Sequence, residues 1–272
     1  MDGNNQVLVV ADDGSPGADA VWLWLAEQQW PGWSVKVVTA TDRLPAEVGA
    51  VTADGVYEWH PPHPRPALPG SELAEVQHLV GVGDPREVLR SVSGTALAVG
   101  PRGHGRLRAL TLGSTTEHLL HTMPRPLFVI RHPRPIRQVV ACTDGSESAT
   151  AAITLLASMP WLAHCDVAVV TAVEPDLDPE TAIAPAVAQL RPLARSVDPV
   201  ILEPDSDQVF YHVRDLIFAE VRAREADLVV HGSRGLSELR GLQVGAIASS
   251  LARHAPCSAL VVGRPASSTN RG

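Results

Sequence analysis

The chain has 272 residues, of which 45% are hydrophobic and 19% charged, and its formal net charge is −8. Its acidity argues against nucleic-acid binding through bulk electrostatics, because neutralising phosphates requires clustered Lys and Arg. No apolar run approaches the roughly 20 residues that span a bilayer and no basic segment precedes the first apolar run, so we predict a cytoplasmic protein without a membrane partner.

The predicted elements of the first half alternate between apolar strands and helices. A buried strand at 7–10 comes first. Ser15 as N-cap and Pro16 as the first helical residue then indicate a helix, which Pro31-Gly32 ends. The remaining elements are a strand at 35–40, an apolar segment at 76–80, a helix opened by Asp84-Pro85, a strand at 96–99, a short helix from Ser114 and a strand at 127–130.

The second half repeats this order. Its predicted strands are 139–142, 167–173, 200–202, 228–230 and 259–262, and its helices are 146–158, 181–195, about 209–224 and a last one through 251. Strands that alternate with amphipathic helices imply βαβ crossovers and a mostly parallel sheet covered on both faces. We therefore predict an α/β fold with two tandem, open sheets flanked by helices, in which ligands bind beyond the carboxyl ends of the strands.

Residues 42–70 form the region in which the two halves differ most. Five prolines from Pro61 to Pro69, with Tyr57 and Trp59 just before them, exclude a long regular helix here. The second half has a predicted helix at the same place. We expect a divergent surface loop, and a partner-docking or lid loop is the alternative.

The cysteines and histidines give little indication of a metal site. Cys142, Cys165 and Cys257 have no CxxC spacing and are expected to be buried free thiols. His60 and His63 stand in a proline-rich segment that offers no partner set of cysteines or carboxylates. We expect no metal site.

A glycine pattern occurs twice in the chain. Its positions, each repeated 132 residues further on, are Gly100, Gly103, Gly113 and Ser114, which return as Gly232, Gly235, Gly245 and Ala246. The triplet Asp13-Gly14-Ser15 also returns, as Asp144-Gly145-Ser146. A whole domain has therefore been duplicated. We predict domains at 1–135 and 136–264, joined near 132–135, and a disordered tail at 265–272.

The glycine pattern has the chemistry of an anion site. A glycine after a buried strand lets the backbone turn sharply, and a second glycine three residues later lets main-chain N–H groups approach an oxyanion. Gly113-Ser114 then opens a helix whose first N–H groups and dipole favour phosphate. Ser114 and Glu117 also fit a capping box, in which Ser114 caps its own helix, and the two roles can coexist.

Several motifs together resemble the universal stress protein family over nearly the whole chain. They are the two Asp-Gly-Ser turns, Gly83-Asp84-Pro85, the G-2x-G-9x-G-(S/T) pattern and the ending at 254–262. The resemblance implies a tandem, two-domain member with five-stranded, Rossmann-like sheets of the adenine nucleotide α-hydrolase type. It also implies that ATP binds with its adenine near the end of the second strand and its phosphates at the glycine loop. Whether Mg²⁺ accompanies the ATP stays open.

The resemblance assigns the binding residues position by position. In the first half they are Asp13, Ala40, Gly100, Gly103, Gly113 and Ser114, and in the second half Asp144, Ala172, Gly232, Gly235 and Gly245. To these we add Arg102 and Arg234, whose charge suits the outer phosphates, and Thr115. The aspartates lie against the nucleotide, or alternatively serve only as turn residues, and the alanines meet adenine through their backbone. The other arginines of the loops, Arg106, Arg108 and Arg240, either neutralise the outer phosphates or are solvated at the surface. His104 and His231 are close to these loops and receive no catalytic role.

Each half departs from the family pattern at one position. Ala246 lacks the hydroxyl of Ser114, a loss of about 1–3 kcal/mol that weakens the second site. Pro101 stands where the second half has Ser233, and it lacks a backbone N–H that could face the ligand.

The resemblance implies an ATP-binding protein of stress-response signalling. We expect no enzymatic activity beyond slow ATP hydrolysis, because the chain has no Walker lysine loop and no recognisable catalytic triad. A scaffold of the same fold that binds no nucleotide is the alternative, and a hydrolase-type enzyme would need an activating motif that is not found. The halves are expected to pack about a pseudo-twofold axis with strands 127–130 and 259–262 side by side, because these strands otherwise expose sheet edges. A homodimer stays open.

Overall fold

The fold is that of a computed structural model, which describes residues 6–68, 70–103, 112–122, 125–173, 177–203, 212–235 and 244–264. Several sequence predictions fall outside these ranges. They are the disordered tail at 265–272, the start of the helix at about 209, and the roles considered for His104, Arg106, Arg108 and Arg240.

The described part of the first repeat contains seven strands and three helices. In chain order they are β1 (Gln6–Ala11), α1 (Pro16–Ala26), β2 (Trp33–Thr41), β3 (Val48–Val51), β4 (Tyr57–Trp59), β5 (Glu75–Val82), α2 (Pro85–Ser91), β6 (Ala96–Val99), α3 (Ser114–Thr122) and β7 (Leu127–Val129). Local signals place the helix starts as predicted: the Ser15 side chain accepts a hydrogen bond from the N–H of Ala18, and that of Asp84 from the N–H of Arg86.

The described part of the second repeat contains five strands, four α-helices and a 3₁₀ turn at Pro160–His164. They are β8 (Gln138–Cys142), α4 (Glu147–Ala157), β9 (Asp166–Ala172), α5 (Pro179–Leu190), β10 (Ser196–Leu202), α6 (Val213–Ala223), β11 (Leu228–Gly232), α7 (Ala246–His254) and β12 (Ser258–Val262). Two predicted boundaries were wrong. Helix α5 ends at Leu190 rather than 195, and β10 begins at Ser196 because an edge strand tolerates Pro199.

The twelve strands of the described ranges belong to one continuous sheet in the order β10-β9-β8-β11-β12-β7-β6-β1-β2-β5-β4-β3. Within each repeat the five repeated strands are parallel, which confirms the predicted α/β class. The predicted pairing of the last strands makes the two sheets continuous. Strands β7 and β12 join them, and they run antiparallel to each other.

The register at this junction shows a local pseudo-twofold axis. Phe128 of β7 faces Leu260 of β12, and these residues are equivalent positions of the two repeats, 132 residues apart. The neighbouring pairs, Val129 with Ala259 and Leu127 with Val261, are related by exchanging the repeats. The predicted pairing of the last strands is therefore confirmed, and each strand covers the sheet edge of the other.

One hydrophobic core crosses the junction on one face of the sheet. It includes Trp24, Trp30 and Phe128 from the first repeat and Trp161 from the second, all buried. Trp30 and Trp161, which are equivalent positions of the two repeats, meet edge to face with ring centroids 6.4 Å apart. The opposite face has a separate core for each repeat, although α7 also packs on that of the first.

Residues 48–59 contain regular structure rather than the predicted divergent loop, whereas residues 60–68 have no helix or strand, as that prediction expects. Strands β3 and β4 form a hairpin, with Gly55 at φ +78° in its turn, and β4 extends the sheet antiparallel to β5. We call residues 60–68 the strap: this proline-rich segment returns across α1, where the Trp22 indole N–H donates to the Pro66 carbonyl oxygen at 3.1 Å. The prediction failed because the two strands are short and partly polar, and tertiary contacts hold the strap.

Candidate functional site

The repeated glycine pattern of the first half converges on one cavity of about 410 Å³. The cavity lies at the carboxyl ends of β1, β2 and β6, between α2 and the beginning of α3. All eight residues predicted for the first site line it: Asp13, Ala40, Gly100, Arg102, Gly103, Gly113, Ser114 and Thr115. The cavity is therefore placed where open parallel sheets bind ligands.

Close backbone contacts explain why this loop needs its glycines. An added Cβ on Gly100 would lie 2.6 Å from the backbone of Gly17, and one on Gly103 would overlap the Asp13 carboxylate. These contacts hold the loop against the first turn of α1. The main chain is thus exposed to the cavity without side chains in the way.

Helix α3 presents its N-terminus to the same cavity. The Glu117 N–H donates to the Gly113 carbonyl, so Ser114 is the first helical residue rather than the N-cap. The predicted capping box is wrong for a second reason, because the Glu117 carboxylate accepts from Arg253 of α7 and from His121. Ser114 is exposed and faces the cavity, so its hydroxyl is available to a ligand.

Pro101 is not a defect of the first site, contrary to the sequence interpretation. In the second repeat the N–H of its equivalent, Ser233, donates to the Val262 carbonyl at 2.7 Å and is not available to a ligand. The carbonyl oxygens of both residues accept equivalent hydrogen bonds. The Gly113 N–H donates to the Pro101 carbonyl and the Gly245 N–H to the Ser233 carbonyl, each at 2.7 Å. Proline therefore removes only a bond within the protein.

Arg102 lines the first cavity with an unsatisfied donor. Its Nε is buried and has no hydrogen-bond partner among the described residues. A buried N–H without a partner is unfavourable, and a guanidinium is well suited to a phosphate oxygen. The bare main chain, the start of α3 and the Arg102 guanidinium at the cavity wall fit the phosphate groups of a nucleotide.

Asp12, beside Asp13, was missed by the sequence interpretation. Arg65 of the strap binds its carboxylate through two hydrogen bonds, Nε to Oδ2 at 2.7 Å and Nη2 to Oδ1 at 2.6 Å, and also pairs with Asp19. Burial would raise the Asp12 pKa, but the Arg65 guanidinium and the Gly14 N–H together lower it. The two residues are 53 positions apart, and no local pattern connects them.

The second repeat forms a smaller cavity of about 110 Å³ at the equivalent place. Five of the six predicted residues line it, namely Asp144, Ala172, Gly232, Arg234 and Gly235, whereas Gly245 is not among its described lining residues. The second site lacks more hydroxyl groups than the one that Ala246 replaces. Ser114, Thr115 and Thr116 of the first repeat correspond to Ala246, Ile247 and Ala248, so all three hydroxyls are replaced by hydrocarbon.

A further difference is found beneath the second glycine loop. Ser148 stands where the first repeat has Gly17, and its hydroxyl donates to the Arg234 carbonyl at 2.6 Å. The Ser146 hydroxyl donates to the same carbonyl at 3.2 Å. The second loop is thus tied to α4 by side chains, whereas the first loop meets α1 through bare backbone.

A family model described as the Universal stress protein family matches residues 4–131 and again 135–263. The chain belongs to this family. Universal stress protein Slr1230 of Synechocystis is 23% identical over 188 residues, which are 68% of this chain and 63% of that relative. The chain therefore spans less than two thirds of the length of this curated relative.

Solved structures show the same fold. A universal stress protein from Archaeoglobus fulgidus aligns with 96% of this chain and 97% of its own, with a TM-score of 0.65 and 16% identity. A functionally unknown protein from Pseudomonas aeruginosa aligns with 96% of this universal stress protein and 93% of its own, with a TM-score of 0.59 and 14% identity. At these identities the likeness concerns the fold.

The structure contains neither a metal cluster nor a membrane helix within its described residues. No group of three or more His, Cys, Asp and Glu side chains is arranged to hold a metal ion there. None of the helices in the described ranges is both long and apolar enough to cross a membrane. The three cysteines are free, as predicted; Cys165 and Cys257 are buried and Cys142 is half-buried.

Proposed function

We propose that the first repeat of this universal stress protein binds ATP and that the bound state acts in stress-response signalling. The convergence of all eight signature residues on the cavity of about 410 Å³ supports this proposal. The adenine would contact the ends of β1 and β2, near Val38 and Ala40, and the phosphates would contact the glycine loop and the start of α3. ATP supplies the polyanion that this set of donors is suited to bind.

Three features of the chain would hold the phosphates. The first N–H groups of α3 have no partners within the helix, and its dipole favours negative charge. The Ser114 hydroxyl is exposed at the cavity, and the buried Arg102 Nε has no described partner. The exposed Asp13 carboxylate would repel a phosphate, so we assign it to the ribose side of the nucleotide.

We further propose that the protein is a binding protein rather than an enzyme. Among the described residues that line the cavity, the ionisable side chains are Asp12, Asp13 and Arg102. The Asp12 carboxylate is engaged by Arg65, and its lowered pKa makes it a poor base. Slow hydrolysis by water alone is the activity we expect.

Bound nucleotide would be identified first by denaturing the purified protein and determining the mass of the released compound. ATP affinity would then be measured by calorimetry for wild type and Ser114→Ala. Loss of one hydrogen bond to a charged acceptor should weaken binding about tenfold to a hundredfold. Two variants are matched controls: Pro101→Ala, which restores a buried backbone bond, and Ala246→Ser, which restores one hydroxyl in the narrow second cavity.

The controls distinguish the first site from the second. Both should leave the affinity and a stoichiometry of one ATP per chain unchanged. If the wild type neither releases nor binds an adenine nucleotide, the proposal fails and the continuous sheet is better understood as a scaffold. If Ser114→Ala binds ATP like the wild type while Ala246→Ser binds more tightly, the nucleotide is in the second repeat instead.

A further inference from the structure

The floor of the second cavity carries two side chains that the first cavity lacks. Strands β8 and β11 are parallel neighbours with Val230 beside Ala141, so the next residues, His231 and Cys142, lie side by side at the carboxyl ends of these strands. Both line the cavity. The equivalent positions of the first repeat are Val99 and Ala11, which are hydrocarbon.

His231 is buried with one ring nitrogen unsatisfied. Its Nδ1 lies 3.0 Å from the Gly232 carbonyl oxygen, which can only accept, so Nδ1 carries the proton and Nε2 is a lone-pair acceptor. The residue is 3% exposed, and Nε2 has no hydrogen-bond partner within the described part of the chain. Burial lowers the His231 pKa to about 4, so the ring is neutral at physiological pH.

The rest of the cavity is mostly apolar, although Asp144 and Arg234 also line it. Its described walls include the side chains of Val170, Leu202, Val213, Ile217 and Leu251. The helix start that has three hydroxyl side chains in the first repeat, of which that of Thr116 donates to the Gly100 carbonyl, here has Ala246, Ile247 and Ala248. A neutral imidazole acceptor has no proton for a phosphate oxygen, whereas it pairs well with an N–H or O–H donor.

We propose that the second cavity is a separate binding site for a small, uncharged ring compound, whose entry displaces the side chains that cover Nε2 of His231 and which donates one hydrogen bond to that nitrogen. The ring would lie against the Cys142 thiol and the apolar walls. The two repeats would then bind ligands of different chemistry, a polyanion in the first and a neutral donor in the second. This inference does not depend on ATP binding, because it rests on residues of the second repeat alone.

Indole and benzofuran are suitable probes for this site. They have nearly the same shape, but only indole carries an N–H donor. Each would be titrated into the full-length protein, and the ¹⁵N resonance of the His231 ring would be followed by NMR. We expect indole to bind about tenfold more tightly than benzofuran, which corresponds to one neutral hydrogen bond, and to shift the Nε2 resonance.

Two variants test the role of the acceptor. His231→Phe keeps a ring of similar size without a nitrogen, and His231→Val installs the residue that the first repeat has at this position. In both, indole and benzofuran should bind equally well. Circular dichroism would show whether the variants fold; if they do not, the comparison of the two probes on the wild type still decides.

Three results would overturn the proposal. They are no binding of either probe to the wild type, equal binding of the two probes, or an indole preference that persists in His231→Phe. Parallel titrations with ATP keep the two sites distinct. Indole binding without ATP binding would support the second site and refute the first, and the reverse result would do the opposite.

Discussion

The ion pair between the strap and the end of β1 gives a sharp prediction about stability. Arg65→Ala removes two hydrogen bonds, of 2.6 and 2.7 Å, from the Asp12 carboxylate. The side chains of Arg65 and Asp12 are only 17% and 15% exposed. Exposed pairs contribute about 0–1 kcal/mol, and breaking a fully buried pair costs about 3–5 kcal/mol. We therefore expect the free energy of unfolding to fall by about 2–3 kcal/mol.

Equilibrium unfolding in urea at pH 7 would measure this loss. Asp19→Asn is the matched control, because Asp19 contacts the same guanidinium with a side chain that is 53% exposed. It should lower stability by less than about 1 kcal/mol. The double variant Arg65→Ala with Asp12→Asn should be more stable than the sum of the single losses predicts, because no unpaired carboxylate is left.

The pH dependence of the same loss follows from the lowered pKa of Asp12. A carboxyl group whose pKa is lowered by folding stabilises the protein above its unfolded pKa, and this contribution is lost as the pH falls through the folded value. The difference in the free energy of unfolding between wild type and Arg65→Ala should therefore have its full size above pH 3.8, the ordinary pKa of an aspartate. It should become smaller below that pH. A difference under about 0.5 kcal/mol at pH 7, or one that stays constant down to pH 2, would refute the reasoning.

Two further predictions concern the contacts between helices and loops. Glu117→Gln breaks the ion pair with Arg253, which joins α3 to α7 across the two repeats. The side chains of Glu117 and Arg253 are 33% and 28% exposed, so thermal unfolding should show that the free energy of unfolding falls by about 1 kcal/mol or less. Hydrogen bonding from Arg253 lowers the Glu117 pKa, so this loss should fade below pH 4.5, and a loss that persists at lower pH would contradict the assignment. Gly17→Ala places a Cβ against the Arg102 carbonyl and should cost about 1–3 kcal/mol while weakening ATP binding; unchanged ATP affinity in calorimetry would show that the loop can move aside freely.

The unequal cavities follow from a few substitutions between the repeats. The first repeat keeps bare backbone at Gly17 and three hydroxyls at the start of α3. The second repeat has a serine that ties down its loop, and it has the side chains of His231 and Cys142 on its cavity floor. The duplication thus gives two domains of the same fold, and the residues at the ends of their strands determine which ligand each cavity can bind.

The sequence alone determined the parts of this protein that depend on local patterns. Apolar runs, the Ser15 and Asp84 caps and the repeated glycines predicted the parallel strands, the helix starts and the position of the first site. Each of these signals acts within a few residues, because strand burial, helix capping and tight turns are set by neighbouring positions. An alignment of the two repeats also gives the replacement of three hydroxyl side chains at 246–248, although the sequence interpretation includes only Ala246.

Only the tertiary structure decided which distant groups meet. The bond from Arg65 to Asp12 spans 53 residues, and that from Arg253 to Glu117 spans 136. The role of Pro101 also depends on a tertiary contact: the N–H of Ser233, the equivalent residue of the second repeat, binds the Val262 carbonyl of a neighbouring strand. Such contacts depend on how strands are ordered in the sheet and which segment returns over which face, and no short pattern records that order. The sequence thus predicted two sites of one design, and tertiary packing made one large and polyanion-compatible and the other narrow and mostly apolar.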